Sequence, residues 1–305
     1  MAATKDVAGK TIVITGASSG FGRGAAIELS RLGANVVLAA RRGDVLEELA
    51  AELGDNTLAV TADVASHSDL QRVADAAVQR FGHVDVWVNN AGIGAMGFFW
   101  DIPIEDHARV IDVTLKGVVN GAHVALKLFT GQGRGTLVNT ASIDSEVPLA
   151  LQNTYAAAKA GVLSLTRSLR EELRVAEFDE IQVGAVLPWA IDTPWWSHAA
   201  NYTGHNPRMV AVDGPEIVVD AIVESCVNPK EALAVGPKGK GGKISHMLFP
   251  NLTERVSADI ISRETLEKGL RAPATSGALH APMAGTTTID GGVRERMKRE
   301  DEVRD

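Results

Sequence analysis

Short apolar runs and longer amphipathic segments alternate along most of the chain. The apolar runs are rich in β-branched residues and lack two-residue alternation, which is typical of strands covered on both faces of a parallel sheet. Between them, apolar residues recur at helical spacing, as in Leu70, Val73 and Ala77. The pattern predicts an α/β fold with a doubly wound, mostly parallel sheet of about seven strands and helices on both faces. The strand candidates are residues 11–15, 35–40, 57–62, 84–89, 136–141, 181–187 and 232–235.

The pattern weakens beyond residue 243. Residues 236–243 read GPKGKGGK, a composition typical of a mobile linker or loop. Residues 244–256 are expected as a helical cover, and the charged residues 293–305 are typical of a solvated tail. We therefore expect one domain over residues 1–243 and a C-terminal extension over residues 244–305.

Composition narrows the classes of function. The 305-residue chain is 45% hydrophobic with a formal charge of −8, so it can bury a large core and has no general basic surface for nucleic acid. Cys226 is the only cysteine, which excludes an intrachain disulfide, and residues 1–10 lack the pattern of a secretory signal. No apolar run reaches the roughly 18 residues of a membrane span. We expect a cytoplasmic protein with no transmembrane segment, nucleic-acid partner or metal.

A glycine-rich turn follows the first strand and opens the first helix. It reads TGASSGFG over residues 15–22, and in this context Gly16, Gly20 and Gly22 allow a tight turn close to a pyrophosphate. Backbone N–H groups at the helix start would meet the phosphate charge. A tight turn without a ligand is the simpler alternative, which the flanking strand and helix disfavour.

The second strand ends in the sequence AARR at residues 39–42. NAD sites usually carry a carboxylate there for the adenosine ribose, whereas a positive side chain accommodates the 2′-phosphate of NADP(H). Arg41 therefore favours NADP(H) over NAD(H), the alternative being plain surface arginines. Asp63, closing the third strand, is a candidate partner for the adenine amine, although a loop or cap role is also open.

These features, with further motifs in the same order, resemble the short-chain dehydrogenase/reductase family over residues 10–235. The further motifs are Asn89-Asn90-Ala91-Gly92 after the fourth strand, Ser142, Tyr155-Ala-Ala-Ala-Lys159 and residues 188–193. The resemblance implies a Rossmann-like domain, an NAD(P)-linked oxidoreductase and a homodimer or homotetramer, and leaves the substrate open. The implied cofactor contacts are Gly16, Ser18, Ser19, Gly20, Phe21, Gly22, Arg41, Asp63, Val64, Asn89, Ala91, Gly92, Tyr155, Lys159, Pro188, Ile191 and Thr193.

Ser142, Tyr155 and Lys159 are the candidate catalytic residues. A carbonyl that accepts a hydride becomes an alkoxide and needs a nearby acid, for which Tyr155 is the candidate. Lys159 lies one helical turn later, and its charge would favour the phenolate. Ser142 follows a strand and would hold the carbonyl oxygen. Taken singly, these residues also suit turn chemistry, helix packing and solvation.

Two positions depart from the family pattern. Thr114 stands where many members carry an asparagine that helps hold a proton-relay water, and a hydroxyl offers fewer donors than an amide. Trp189 follows Pro188 where glycine is common and would add an apolar wall. Aromatic residues in the loops after the strands suggest an apolar substrate pocket, with packing of a lid or a subunit contact as the alternative. The candidate pocket residues are Met96, Phe98, Trp100, Gln152, Trp189, Trp195 and Trp196.

The sequence predicts an NADP(H)-dependent oxidoreductase acting on the carbonyl or secondary alcohol of a small apolar or aromatic substrate. A catalytically weak NADP(H)-binding scaffold or redox sensor is the alternative, which Thr114 keeps open. A nucleotide-sugar epimerase is a weaker one, because the glycine spacing and the length fit the oxidoreductase pattern better. Residues 286–292 resemble the strand that ends many family members, although a strand near residues 232–236 already fills that place.

Overall fold

Buried apolar strands form the centre of the computed structural model, which describes residues 6–304. The strands are β1 (Thr11–Thr15), β2 (Asn35–Ala40), β3 (Thr57–Thr61), β4 (Val86–Asn89), β5 (Ala95–Met96), β6 (Gly135–Thr140), β7 (Ile181–Leu187), β8 (Ala200–Asn201) and β9 (Leu233–Ala234). Seven of them make one parallel sheet in the order β3-β2-β1-β4-β6-β7-β9, while β5 and β8 pair separately. The predicted doubly wound sheet is confirmed.

Helices cover both faces of this sheet. Val13 of β1 belongs to one buried cluster, whereas its neighbours Ile12 and Ile14 belong to another, because successive strand residues point to opposite faces. Each face therefore has its own core. The helices are α1 (Gly20–Arg31), α2 (Gly43–Leu53), α3 (His67–Phe81), α4 (Ile104–Ile111), α5 (Gly117–Gln132), α6 (Asn153–Val175), α7 (Trp195–His198), α8 (Glu216–Ser225), α9 (Gly236–Leu248), α10 (Pro250–Ser262) and α11 (Val293–Arg304).

The long helix expected after β4 is interrupted. A π-helical turn, Asp112–Lys116, separates α4 from α5. Such turns widen a helix locally and often occur near functional sites. Here the turn contains Thr114, which is completely buried.

The prediction of a mobile linker at residues 236–243 is wrong, because these residues form the first two turns of α9. Pro237 lies in the first turn, where its missing N–H costs nothing. A side chain at Gly239 would lie 3.4 Å from Ile143, and one at Gly242 would lie 3.7 Å from Trp189. Ile143 and Trp189 thus lie at ordinary contact distance from this face of α9, and tertiary packing outweighs the low helix propensity of the glycines.

The end of the chain also departs from the expected pattern. Residues 286–292 form no strand, because β9 takes the last place in the sheet. The expected charged tail forms α11, anchored by Arg208, whose guanidinium lies 2.8 Å from the Glu300 carboxylate in a buried ion pair. The division of the chain at residue 243 stays a prediction. In the part of the chain spanning residues 6–304, no helix is both long and apolar enough to cross a membrane.

Candidate active site

One cavity follows the carboxyl ends of the parallel strands, where ligands bind in doubly wound sheets. The cavity begins at Arg41 and Asp63, passes the glycine turn, and reaches Tyr155 and the tryptophans that follow β7. Fifteen of the expected cofactor contacts line it: Gly16, Ser18, Ser19, Gly20, Phe21, Arg41, Asp63, Val64, Ala91, Gly92, Tyr155, Lys159, Pro188, Ile191 and Thr193.

The glycine turn is pressed against the segment that follows β4. Gly16 has φ +69°, and a Cβ atom there would lie 2.8 Å from the Cα of Ala91. A Cβ at Gly22 would lie 2.3 Å from the carbonyl oxygen of Gly16. Gly22 thus shapes the turn from behind and does not line the cavity, which corrects its expected direct contact. Gly20 begins α1 at the anion-binding end of that helix, where its own N–H donates to the carbonyl oxygen of Thr288 at 2.9 Å.

Asn89, an expected cofactor contact, lies behind the cavity wall. Its amide donates to the Asn139 side chain at 3.0 Å and accepts from the indole of Trp87 at 2.9 Å. Because Asn89 ends a buried strand, its side chain ties β4 to β6. The neighbouring Asn90 lines the cavity and donates to the Thr15 carbonyl oxygen at 3.1 Å. Sequence reasoning missed Asn90, although the paired asparagines were the signal.

Two arginines occupy the end of β2 beside the cavity. Arg42 donates from Nη2 to the hydroxyls of Ser18 at 2.9 Å and Ser19 at 3.0 Å. Arg41 donates to the backbone carbonyl oxygens of Ala278 and Leu279 at 2.6 and 3.1 Å. Burial is the largest cause lowering the pKa of both guanidinium groups. The two guanidinium groups bring positive charge to this end of the cavity, which is the end proposed below for adenosine.

Asp63 lines the same end of the cavity but is paired already. Arg109 donates to its carboxylate at 2.6 Å, and the backbone N–H of Ala65 donates to it at 2.9 Å. These two hydrogen bonds lower the pKa of Asp63 although burial raises it. The carboxylate is thus held ionised, and it has the loop role left open above, since the N-cap of α3 is Ser66.

The three candidate catalytic side chains lie together at the other end of the cavity. Ser142 follows β6, and Tyr155 is in the first turn of α6; the Ser142 side chain is near enough to oppose the rise in the pKa of the Tyr155 hydroxyl. Lys159 donates to the carbonyl oxygen of Thr140 at 2.6 Å, and its Nζ lies 5.6 Å from the centre of the Tyr155 ring. The strand end and the helix start therefore bring an acid, a hydroxyl and a cation to one point.

A third ionisable group, Asp144, is buried beside Tyr155 and Lys159. Burial raises its pKa to about 7, against the opposing effect of Lys159. The pKa of Lys159 falls to about 8 because burial outweighs the attraction of Asp144. The pKa of Tyr155 is raised, first by burial and then by the Asp144 charge. This direction is opposite to the one expected from Lys159 alone. Sequence reasoning missed Asp144, although it stands two residues after Ser142.

Thr114 is fully engaged in backbone hydrogen bonds. Its hydroxyl donates to the carbonyl oxygen of Ile93 at 2.7 Å and accepts from the N–H of the same residue at 3.0 Å. The side chain therefore fixes the loop after β4 against the π-helical turn. With one proton to donate and that proton used, it has little capacity left to hold a relay water.

The expected residues of the substrate pocket divide into two groups. Trp189, Trp195, Trp196 and Gln152 line the cavity as expected, and the ring centre of Trp195 lies 5.0 Å from that of Tyr155. Leu149 and Met209, which sequence reasoning missed, line it as well.

Three expected pocket residues lie elsewhere. Met96 is completely buried in a core cluster with Trp196. Phe98 and Trp100 stack on each other with ring centres 5.2 Å apart, and Trp100 is 78% exposed. The short strand β5 turns this segment away from the cavity, so its assignment to the pocket was wrong.

These residues fit a nicotinamide dinucleotide. The glycine turn lines the cavity beside the N-terminus of α1, where phosphates bind in such folds, and the same cavity reaches Tyr155. A group bound there would present one end to the arginines and the other to the catalytic residues.

Comparisons with known proteins define the class. A family model described as short chain dehydrogenase matches residues 10–202. The uncharacterized oxidoreductase YxnA of Bacillus subtilis (strain 168) is 36% identical over 301 residues, covering 97% of this chain and 84% of the relative. The 3beta-hydroxysteroid dehydrogenase 1 of Eggerthella lenta is 39% identical over 194 residues, covering 62% and 73%.

A solved structure agrees with these relatives. The crystal structure of a short chain dehydrogenase/reductase from Burkholderia phymatum in complex with NAD has a TM-score of 0.71 at 28% identity, covering 81% of this chain and 95% of that one. The chain belongs to the short-chain dehydrogenase/reductase family. It is an NAD(P)-dependent oxidoreductase that acts on alcohol or carbonyl groups.

Proposed function

We propose that the protein is an NADP(H)-dependent carbonyl reductase or alcohol dehydrogenase for an apolar or aromatic substrate. The observation that carries the proposal is the single cavity shared by Tyr155, the glycine turn and Arg42. When bound, the nicotinamide supplies or accepts the hydride. The protein's task is to position both reactants and to move one proton.

Tyr155 is the proposed proton donor in carbonyl reduction. Its raised pKa keeps the phenol protonated, which suits an acid that must give a proton to an alkoxide. Ser142, which lowers the pKa of the same hydroxyl, is the proposed partner of the carbonyl oxygen. Lys159 is the proposed ribose anchor and the positive charge beside Tyr155. In alcohol oxidation the phenol has to lose its proton first, so burial makes that direction more demanding.

The preference for NADP(H) is supported by charge. No carboxylate ends β2, where an NAD site would use one for the ribose, and Arg41 and Arg42 stand there instead. The Ser18 and Ser19 hydroxyls bound to Arg42 add neutral partners for a phosphate. We propose both arginines as the 2′-phosphate site, with the larger effect expected for Arg42 because it also bonds these serines.

An apolar substrate is supported by the wall beside Tyr155. Trp189, Trp195, Trp196, Leu149 and Met209 supply that wall, while Gln152 adds an amide. Such a pocket favours aliphatic, alicyclic or aromatic carbonyl compounds and disfavours large anions, because a buried anion needs a paired cation. The relative from Eggerthella lenta carries the name of a hydroxysteroid dehydrogenase, which is one example of this substrate class.

The experiment that tests this function combines cofactor titration with a substrate panel. NADPH and NADH binding are followed by tryptophan fluorescence, and their oxidation is followed with apolar aldehydes and ketones beside matched carboxylated compounds. We expect tighter binding of NADPH and turnover of the apolar compounds. Tight NADPH binding without oxidation by any compound would instead favour the redox sensor.

We also propose a homodimer or homotetramer in the cytoplasm. Met247, Leu248 and Phe249, where α9 meets α10, are each at least 60% exposed, and contiguous exposed apolar residues often mark an interface. Light scattering during size-exclusion chromatography is expected to give two or four times the chain mass of 32.2 kDa. A single-chain mass at all concentrations would contradict the proposal.

A further inference from the structure

The C-terminal extension returns to the adenosine end of the cavity. Residues 278–288, called the strap below, contact the groups that begin α1 and end β2. Ala278, Pro282 and Met283 of the strap line the same cavity as Arg42. We propose that the strap is the outer wall of the dinucleotide site and has to open when the cofactor is exchanged. The proposal rests on the dinucleotide site proposed above.

Arginine side chains hold the strap by its backbone. Arg41 donates to the carbonyl oxygens of Ala278 and Leu279, and Arg42 donates from Nη1 to those of Met283 at 3.4 Å and Thr286 at 3.1 Å. The arginines proposed for the phosphate therefore also hold the strap. Closing the strap orients them, because each hydrogen bond restricts a long side chain.

Further contacts join the strap to the start of α1. The N–H of Gly20, the first residue of the helix, donates to the carbonyl oxygen of Thr288 at 2.9 Å. The imidazole of His198 hydrogen-bonds the hydroxyl of Thr286. The pKa of His198 is lowered to about 4, by burial first and then by the two arginines, so its ring is neutral at physiological pH. The strap thus crosses from β2 to α1.

Both ends of the strap are fixed more firmly than its middle. Leu279 is completely buried in the larger core cluster. Beyond the other end, the carboxylate of Asp192 accepts from the N–H groups of Val293 at 2.7 Å and Arg294 at 3.0 Å, which caps α11. Pro282 and Gly285 between these anchors are exposed, and Gly285 has φ +81°. The middle can therefore move without unfolding its anchors.

The strap bounds the cavity and does not fill it. Residues of the strap, the glycine turn and the catalytic end all line one space with the strap in contact. A dinucleotide that reaches from Arg42 to Tyr155 would therefore lie beneath the strap. Entry and release then require the contacts of Arg42, His198 and Gly20 with the strap to break.

A loosened strap tests this directly. In the double variant Pro282→Gly, Thr286→Ala, the backbone becomes more flexible and the His198 contact is lost. We expect the Kd of NADPH and of 2′,5′-ADP, which contains only the adenosine half, to rise about tenfold, mostly through faster release. Stopped-flow fluorescence measures NADPH release, and calorimetry measures 2′,5′-ADP binding. The KM for a carbonyl substrate at saturating NADPH is expected to stay unchanged.

The matched control is Pro273→Gly, Ser276→Ala. These residues belong to the same extension, are exposed, and do not line the cavity. The control is expected to bind and release both ligands as the unmodified protein does. Equal release rates for the strap variant and the unmodified protein, or equal losses in the strap variant and the control, would overturn the proposal.

Hydrogen exchange provides a readout that needs no turnover. Saturating NADPH is expected to slow exchange of the backbone amides of residues 281–290. Unchanged or faster exchange there, with NADPH bound, would overturn the strap proposal and leave the proposed function intact. Failure of both NADPH and NADH to bind would overturn both proposals.

Discussion

Three ionisable side chains, those of Tyr155, Lys159 and Asp144, lie at the catalytic end of the cavity. Asp144 affects the pKa values of the other two. Burial is the largest cause that raises the pKa of Tyr155, and the Asp144 charge adds to it. Burial lowers the pKa of Lys159 to about 8, against the opposing effect of Asp144. Burial raises the pKa of Asp144 to about 7, against the opposing effect of Lys159. Burial and Asp144 together thus keep Tyr155 an acid, the state that carbonyl reduction uses.

Removing the Asp144 charge is expected to move the pH profile of alcohol oxidation. In Asp144→Asn, the phenolate of Tyr155 is no longer opposed by an anion, so its pKa falls and the rising limb moves to lower pH. The pKa of Lys159 falls as well, so the loss of its charge at alkaline pH moves in the same direction. Initial rates measured from pH 6 to 10 test this. Asp144→Glu, which keeps the charge, is the control, and a profile displaced to higher pH would contradict the argument.

The arginines at the end of β2 are expected to set cofactor preference. Arg42→Ala should raise the Kd of NADPH more than that of NADH, since both cofactors lose the strap contacts of Arg42 and NADPH alone also loses a charge-assisted hydrogen bond to its 2′-phosphate. Arg41→Ala should do the same to a smaller extent. Arg72→Ala, which removes an exposed arginine paired with Asp69, is the control. If the ratio of NADPH to NADH affinity is unchanged in both variants, the arginines hold the strap and do not bind the 2′-phosphate.

Among the elements, the π-helical turn and the loop after β4 depend on one side chain. Thr114 satisfies both the N–H and the carbonyl oxygen of Ile93. The site where a relay asparagine was expected is therefore used for structure. The departure from the family pattern has a physical reason that the sequence alone does not contain.

Thr114→Val is expected to lower the free energy of unfolding by about 2 to 3 kcal/mol. Valine keeps the shape and leaves the backbone groups of Ile93 buried without this partner, which costs their desolvation. Thr114→Ser keeps the hydroxyl and is expected to lose less. Urea denaturation followed by circular dichroism compares the three proteins. Equal stability of the valine variant and the unmodified protein would show that Ile93 finds other partners.

Element prediction succeeded where local pattern and tertiary packing agree. The strands from 11–15 to 181–187 were recognisable because continuous apolar runs are what a sheet covered on both faces requires. The segment at 236–243 was not recognisable as α9, because its glycines favour a loop and the local sequence does not contain the packing of α9 against Ile143 and Trp189.

At the scale of the whole molecule, the chain is acidic, but positively charged side chains lie together at one end of its cavity. The formal charge is −8, yet Arg41 and Arg109 lie near Asp63, and Arg42 lies near Arg41. The glycine turn and the pair of Tyr155 and Lys159 were predictable, because each is encoded within a few residues.

Other parts of the site depend on contacts between distant segments. Arg42 and Thr286 are 244 residues apart in sequence, and no local pattern predicts their contact. The burial of Asp144 and the exposure of Trp100 likewise follow from how the elements pack. Local motifs therefore indicated the chemistry, whereas the boundaries of the cavity required the fold.

The most direct test of the account is isotope transfer in Tyr155→Phe. NADPH carrying deuterium at the transferred position is mixed with an apolar ketone, and the alcohol is analysed by mass spectrometry. In the unmodified protein, deuterium is expected on the carbinol carbon. In Tyr155→Phe, product formation should be abolished while NADPH still binds, because the proton donor alone is missing. Deuterated product formed by Tyr155→Phe at a rate near that of the unmodified protein would contradict the central role of Tyr155.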